Sequence, residues 1–506
     1  MEKYFLGIDN GGTMAKAAVF DEHGKEIAVA AEKVELLHPQ QGWEEVDMEE
    51  LWRANVRTIR SVIEKACIDP RDIAGIACTG HGNGMYLIDE DGNGLRGIRS
   101  TDGRARKVID MWNADNTLQK ILPKTMQAIW AAQPNTLLRW MMDNDRETLD
   151  KARWMFMVKD FIRFRLTGNV AIDRTDLSGT SLINVGTGEY DDEVLEAWGI
   201  LEMKRLMPPI VDSAEICGAV TSKVAAITGL AEGTPVAGGM FDIDACGLGV
   251  GMVNEDSLCL ISGTWGNNQY ISKTPVVSPD VFMTSCYSIP GYYLMLEGSA
   301  TSASNLEWMI TEFFDADKAL MKQDDPESSI YSLVNELVGK TSPADCGLLF
   351  LPYLYASPVS LDAKACFFGL DGWQNRGHVL RAMCEGIVFG HYWHIERLLK
   401  FRKMPNPILL AGGAAKSSVW AQMFADIFQT RVDIPNGTEL GTLGAAIAAA
   451  VAVGTYASYE EACQNMVCFS RRYTPDPAKA EAYARKYANF KKLLEILQPH
   501  WAELAW

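Results

Sequence analysis

Strand and helix patterns alternate along this 506-residue chain, which predicts an α/β protein with two similarly built halves. Three observations carry that reading. An apolar strand at 4–8 breaks into Asp9-Asn10-Gly11-Gly12-Thr13 and is followed at once by another apolar strand at 15–20. The same design recurs near mid-chain, as a strand at 257–262, the turn Gly263-Thr264-Trp265-Gly266 and a returning strand at 268–272. A third glycine break, Ala411-Gly412-Gly413-Ala414, ends an apolar strand at 407–410.

The elements follow in order. The turn Asp21-Glu22-His23-Gly24 and a strand at 25–31 complete an N-terminal meander. Asp47 stands as the cap of a helix, with Glu50 three residues on and an apolar face of Leu51, Val56, Ile59, Val62 and Ile63. Residues 73–78 form a buried strand ending in Thr79-Gly80-His81-Gly82-Asn83-Gly84, and 86–88 with 95–98 form a hairpin. Residues 110–165 read mostly as helix, and a strand at 234–239 leads into Met240-Phe241-Asp242-Ile243-Asp244. After the second Gly-Thr turn come a helix from 377 to about 399, a helix at 417–428, a strand at 431–434 and a small-residue helix opened by Gly441-Thr442-Leu443-Gly444. A boundary near 247–254 divides the chain into domains 1–248 and 249–506.

Composition narrows the functions. Hydrophobic residues make up 48% and charged residues 22%, a globular balance that excludes a disordered or fibrous chain. Lys plus Arg is 47 against 65 Asp plus Glu, a net charge of −18, which argues against nucleic-acid or anionic-membrane partners. An anionic ligand must then be met by backbone N–H groups, a metal ion or a few local cations. The longest uncharged apolar run, 440–458, carries Gly441, Gly444 and Gly454 and suits a close-packed buried helix better than a membrane span. The opening residues do not read as a signal peptide. Eleven scattered cysteines without a C-x-x-C pair predict reduced thiols and a cytoplasmic location.

Each motif has a plain structural reading beside its chemical one. Asp9 to Thr13, with Lys16, can hold a hydrated metal and present donors to phosphate, or can be a tight hairpin. Gly412 to Ser417 fails the P-loop pattern, because Ala415 stands where a glycine must precede the lysine; a strand-to-helix turn approached by a nucleoside fits it better. Asp242 can act as a general base toward a hydroxyl, or cap a helix. Asp89, Asp91, Asn93 and Gly94 match half a calcium loop, but Ser100 stands where its glutamate belongs. His391 and His394 read as a helix face rather than a metal site.

Together, in this order and spacing, these motifs resemble the FGGY carbohydrate kinases, a branch of the actin and hexokinase superfamily. Gly42-Trp43-Glu44-Glu45-Val46-Asp47, Phe241-Asp242, Ser262-Gly263-Thr264, the stretch from Gly369 to Gly386, Gly412 to Ser417 and Glu439 with Gly444-Ala445-Ala446 carry the resemblance through most of the chain. It implies two actin-like (ribonuclease H-like) domains, each a mixed five-stranded sheet flanked by helices, around a deep cleft. It also implies ATP with Mg²⁺ as cofactors, a small sugar as substrate and a possible homodimer. By family position, Asp242 is the catalytic base. Asp9 and Asp242 hold the metal through water. Gly11, Gly12, Thr13, Lys16, Gly263, Thr264, Gly412, Gly413, Ala414 and Ser417 bind ATP, and His81, Gly82, Asp102, Arg104, Trp130 and Asp242 contact the sugar. The plain reading of Asp102 with Arg104 is a surface ion pair, and of Trp130 core packing.

Departures bear on the substrate. The Arg-Glu pair of glycerol kinases is absent, and His81-Gly82-Asn83 looks closer to the L-xylulose kinase subgroup. L-xylulose or a related keto-sugar or sugar acid is expected first and D-xylulose second. The alternatives are a polyol kinase of the erythritol type, a non-catalytic actin-like sugar or nucleotide sensor, and a chaperone-like ATPase, for which no peptide-binding segment is evident.

Overall fold

The computed structural model describes residues 2–325, 328–355, 357–360 and 362–504. The chain forms two compact units. Unit 1 gathers Met1–Val253, Ile271–Met295 and Gly437–Cys468; unit 2 gathers Asn254–Tyr270, Leu296–Asn436 and Phe469–Trp506.

In unit 1 the strands β1 (Tyr4–Asn10), β2 (Met14–Asp21) and β3 (Glu26–Lys33) make the expected antiparallel meander. β1 also pairs in parallel with the strand Ile73–Gly80, which in turn pairs in parallel with Pro235–Ala237 and Met240–Phe241. Ile216–Ala219 closes the edge antiparallel to Pro235–Ala237. The sheet therefore has seven strands where five were expected. One addition is the edge strand. The other arises because the 234–239 run does not continue as one strand: Gly239 adopts φ +80, and a Cβ there would lie 2.1 Å from the Cys78 carbonyl oxygen. Only glycine makes that bend at that closeness.

One face of the sheet is covered by α1 (Met48–Ala66). Asp47 caps it, its Oδ1 accepting from the amides of Glu49 and Glu50 at 2.8 and 2.9 Å. Glu50 does not reach back to the cap, since its carboxylate is taken by Arg53 and Arg57. Leu51, Trp52, Ile59 and Val62 bury against Leu6, Ile8 and Ile76. Gly7 alternates with these strand residues and so faces the other side. There the helix Leu440–Ala452 lies against the backbone: a Cβ on Gly7 would sit 2.0 Å from the Thr442 oxygen, and one on Gly444 would sit 1.9 Å from the Ala245 oxygen. That is the close-packed helix its composition predicts. No helix among the described residues is long and apolar enough to cross a membrane.

Unit 2 repeats the plan. Leu258–Ser262 pairs antiparallel with Gly266–Ser272 and parallel with Ile408–Gly412; that strand pairs in parallel with Val432–Pro435, which pairs antiparallel with Phe469–Tyr473. Each unit thus has a hairpin closed by a glycine turn, with a parallel strand beside its first arm. The helices Arg376–Leu398 and Ser418–Phe428 fill out the unit.

Candidate active site

Parallel strands end together, so side chains at their carboxyl ends converge. In unit 1, Asp9 pairs with Thr79 on one side and with Lys16 across the hairpin. Met240 pairs with the same Thr79 and Phe241 with Gly80, which brings Asp242, Asp9 and His81 to one edge of the sheet. The turn between β1 and β2 is closed by the Gly11 amide donating to the Met14 oxygen at 3.1 Å, leaving Gly12 and Thr13 exposed at its tip. Lys16 does not extend freely; its Nζ meets Glu439 at 2.9 Å.

Asp9 keeps part of its surface in solvent, but its Oδ1 is sealed off without a hydrogen-bond partner. Burial pushes its carboxyl up to about 6, with Lys16 opposing and Glu439 reinforcing the rise. Asp242 opens the helix Asp242–Gly249; Phe241, not Asp242, occupies the cap position. Burial, then the charges of Asp9 and Asp176, hold the Asp242 carboxyl well above the usual carboxylate range. Some of that side chain still reaches solvent. Asp244, two residues on, faces elsewhere: its Oδ1 accepts from the Ser288 amide at 2.9 Å and hydroxyl at 3.2 Å.

A buried ionic cluster in unit 1 had no counterpart in the sequence reading. Lys159 meets Asp160 at 2.8 Å, Asp173 at 3.4 Å and Asp176 at 3.3 Å, and Arg163 meets Asp160 at 2.9 Å. The cluster is tied to the Asp242 segment through Thr175, whose hydroxyl accepts from the Phe241 amide at 2.9 Å and bonds to Asp173 at 2.7 Å. The available signal was charge inside an otherwise apolar helical stretch, Lys159-Asp160 and Arg163, with Asp173 and Asp176 just beyond.

Of the residues expected to read a sugar, His81 and Gly82 lie at this end of the sheet. His81 is buried, its Nε2 3.0 Å from the Tyr86 hydroxyl and its Nδ1 3.3 Å from the Gly82 oxygen. Burial, then the charge of Arg99, lowers its pKa to about 3, so the ring is neutral. Gly82 seats the Phe241 ring, since a Cβ there would lie 2.2 Å from it. Asp102 and Arg104 form a buried pair rather than a surface one: Nε meets Oδ1 at 2.9 Å and Nη2 meets Oδ2 at 2.9 Å. Glu45 adds a second ion pair to Arg104, and Trp43 covers its guanidinium with the ring centroid 4.1 Å away. Only Nη1 of Arg104 is buried without a partner. The half-buried Trp130 stacks on Phe282 at 5.3 Å, and its loop is joined to the His81 stretch by the Gly84 amide donating to the Ala132 oxygen. Arg99, absent from the expected set, bonds to the Gly12 oxygen.

In unit 2 the register Ser262 opposite Gly412 places the second and third glycine turns side by side. Gly412 has φ +88, and a Cβ on it would lie 2.5 Å from the Ser262 oxygen. Gly263 and Thr264 are held by the Ala303 amide and the Ser304 hydroxyl, which donate to their carbonyls. Gly412 and Gly413 are exposed, whereas Ala414 is buried and can offer only backbone. Ser417 caps the helix Ser418–Phe428, its hydroxyl accepting from the Trp420 amide at 3.1 Å.

Among the described residues, no group of three or more His, Cys, Asp or Glu side chains could hold a metal. The Asp89 loop is a hairpin turn, and His391 and His394 bond to Asn268, Ser302 and Glu297. Asp9 and Asp242 remain, two carboxylates at one sheet edge, one with an unpartnered oxygen. That suits a Mg²⁺ ion, which keeps most of its waters and takes one or two carboxylates with substrate phosphates.

Comparison with known proteins gives a consistent result. The N-terminal domain profile of the FGGY family of carbohydrate kinases matches residues 4–249, and the C-terminal domain profile matches 258–453. The chain is 35% identical over 500 residues to a probable L-xylulose kinase of Pasteurella multocida, covering 98% of this chain and 99% of that protein. It is 34% identical over 502 residues to the L-xylulose/3-keto-L-gulonate kinase of Escherichia coli, covering 98% of each. The crystal structure of xylulose kinase from Rhodospirillum rubrum is similar with a TM-score of 0.87 at 26% identity, over 99% of this chain and 100% of that one.

Proposed function

The chain belongs to the FGGY family of carbohydrate kinases, and from that membership we propose that it transfers the γ-phosphoryl group of ATP to a hydroxyl of a ketopentose-like sugar. L-xylulose or a related keto-sugar or keto-sugar acid comes first, in line with the names of its relatives, and D-xylulose second. The observation that carries the proposal is Asp242, a carboxylate of raised basicity beside Asp9 at the end of parallel strands.

Phosphoryl transfer asks a protein chiefly for positioning and charge neutralisation. In the proposed step Asp242 accepts the hydroxyl proton as the sugar oxygen attacks the γ-phosphorus. The new O–P bond forms, the bond to the bridging oxygen breaks, ADP leaves, and Asp242 returns its proton to water. A raised pKa suits a base that must take up a proton near neutral pH. Mg²⁺, held through water by Asp9 and Asp242, would neutralise phosphate charge. The exposed turns at Gly11–Thr13 and Gly263–Thr264 offer backbone and hydroxyl donors to phosphate, while Gly412 and Gly413 offer flat backbone to a nucleoside. Lys16, paired with Glu439, orients the charge around Asp9. We assign sugar binding, the first phosphate turn and the base to 1–248, and ATP binding to 249–506.

The test is ADP release from Mg²⁺-ATP across a panel of L-xylulose, D-xylulose, 3-keto-L-gulonate, erythritol and other polyols, with Asp242→Asn beside it. The expected result is turnover dependent on one sugar class and reduced roughly 10²–10⁴-fold in the variant. ATP binding without sugar-dependent turnover would instead make the protein a sensor.

A further inference from the structure

One buried cation of unit 1, Arg99, has no counter-charge among the described residues. Arg99 follows the strand Gly94–Ile98 and is only 3% exposed. No carboxylate among the described residues lies within 4.0 Å of its guanidinium. One arm donates to the Gly12 oxygen, and its Nε is buried without a partner. Its backbone is fixed on both sides, the amide donating to the Glu44 oxygen at 2.9 Å and the carbonyl accepting from the Asp102 amide at 3.2 Å. Arg104, nearby in sequence, shows the contrast: Asp102 and Glu45 neutralise it and Trp43 covers it. Burying an ion without a counter-charge is costly, so its retention points to a ligand that brings the missing charge.

The position of Arg99 says which ligand. It neighbours the Tyr86 hydroxyl, which bonds to His81, so Arg99, Tyr86 and His81 form one wall of the candidate sugar site. Its contact with the first glycine turn is to a carbonyl oxygen, and that oxygen repels phosphate. A planar guanidinium holds a carboxylate through two parallel N–H···O bonds, a geometry a neutral hydroxymethyl group cannot match. We propose that Arg99 binds the carboxylate of a sugar-acid substrate and makes the protein prefer a keto-sugar acid to the neutral keto-sugar. The proposal rests on the sugar-kinase reading above and narrows its substrate class.

The experiment measures kcat/KM for 3-keto-L-gulonate and for L-xylulose in wild type, Arg99→Gln and Arg99→Lys. Wild type should favour the acid. Arg99→Gln should lower the ratio of kcat/KM for the acid over the neutral sugar by about 10–150-fold, the worth of a charge-assisted hydrogen bond, because the lost contact to Gly12 acts on both sugars alike. Arg99→Lys should keep part of the preference, because it keeps the charge but not the fork. Equal losses on acid and neutral sugar, or a wild type with no preference for the acid, would overturn the proposal. Should the variants not fold, calorimetry on wild type with D-gluconate and D-glucitol decides the matter, since the two differ by a carboxylate against a hydroxymethyl group. Binding of the acid tighter by tenfold or more supports the role, and equal affinities refute it. Preferential acid binding without any turnover would count against the kinase reading and leave the role of Arg99 standing.

Discussion

Asp9 carries a prediction whose sign and size both follow from its surroundings. Its carboxyl titrates at about 6 in the fold against 3.8 when free. Below the lower value the folded and unfolded chains are both protonated there. As pH rises, the unfolded chain releases the proton first, so the group's contribution to stability is present at low pH and lost as pH passes through about 6. The difference between the two pKa values is worth about 3 kcal/mol. Part of Asp9 remains in solvent, which screens its charge and brings the expected figure to about 1–3 kcal/mol. Asp9→Asn cannot ionise. At pH 8 the variant should therefore be more stable than wild type by about that amount, and the gap should close by about pH 4. Urea unfolding followed by tryptophan fluorescence at pH 4, 6 and 8 reads this directly. Mg²⁺ with ADP should narrow the gap at pH 8, because it stabilises the wild type through the carboxylate the variant lacks. A gap independent of pH, or a variant less stable than wild type at pH 8, would refute this account of Asp9.

Other expectations follow from the same edge of the sheet. Gly444→Ala would place a methyl 1.9 Å from the Ala245 oxygen, so it should destabilise the protein by about 1–3 kcal/mol or more and lower kcat by shifting the helix that begins at Asp242. An unchanged urea midpoint would contradict that packing. Gly82→Ala would put a methyl 2.2 Å from the Phe241 ring, so kcat should fall with little change in the KM for ATP. Phe241→Leu in the same chain should restore part of the activity, which steady-state kinetics would show. The acid limb of the wild-type kcat/KM profile should lie well above the ordinary carboxylate range, since protonated Asp242 cannot accept a proton, and Asp242→Asn should lack that limb in its residual activity.

What the sequence discloses is local. The strand-turn-strand units at 9–13 and 262–266 are legible because glycine turns bounded by apolar runs admit few other conformations. The burial of 440–452 is legible because a helix of Gly and Ala is useful only where backbones approach closely. The count of strands is not, because Gly239 divides one apolar run by a bend whose need is set by Cys78, a distant residue. The ionic cluster at Lys159 is hidden for the same reason: each charge alone reads as solvated surface, and only folding shows five of them meeting in the interior. Arg99 is the opposite case, a charge whose meaning lies in the partner it lacks, and a single sequence gives no sign of a missing ion pair.

Asp242 joins both kinds. Its place after an apolar strand marks it as a candidate base, but an aspartate in water is a weak one. Its basicity comes first from burial, then from the sheet register that sets Thr79 between Asp9 on one strand and Met240 on another, and from the short helix Arg174–Ser178, which carries Asp176 and is tied to the Phe241 amide through Thr175. The carboxylates that raise its pKa are those whose charge a bound cation would offset, so the same geometry that makes Asp242 basic also makes the edge receptive to metal. A highly acidic protein can in this way hold a polyanionic nucleotide without a basic patch, because the local field follows from which carboxylates the strands bring to one end, not from the sign of the whole chain.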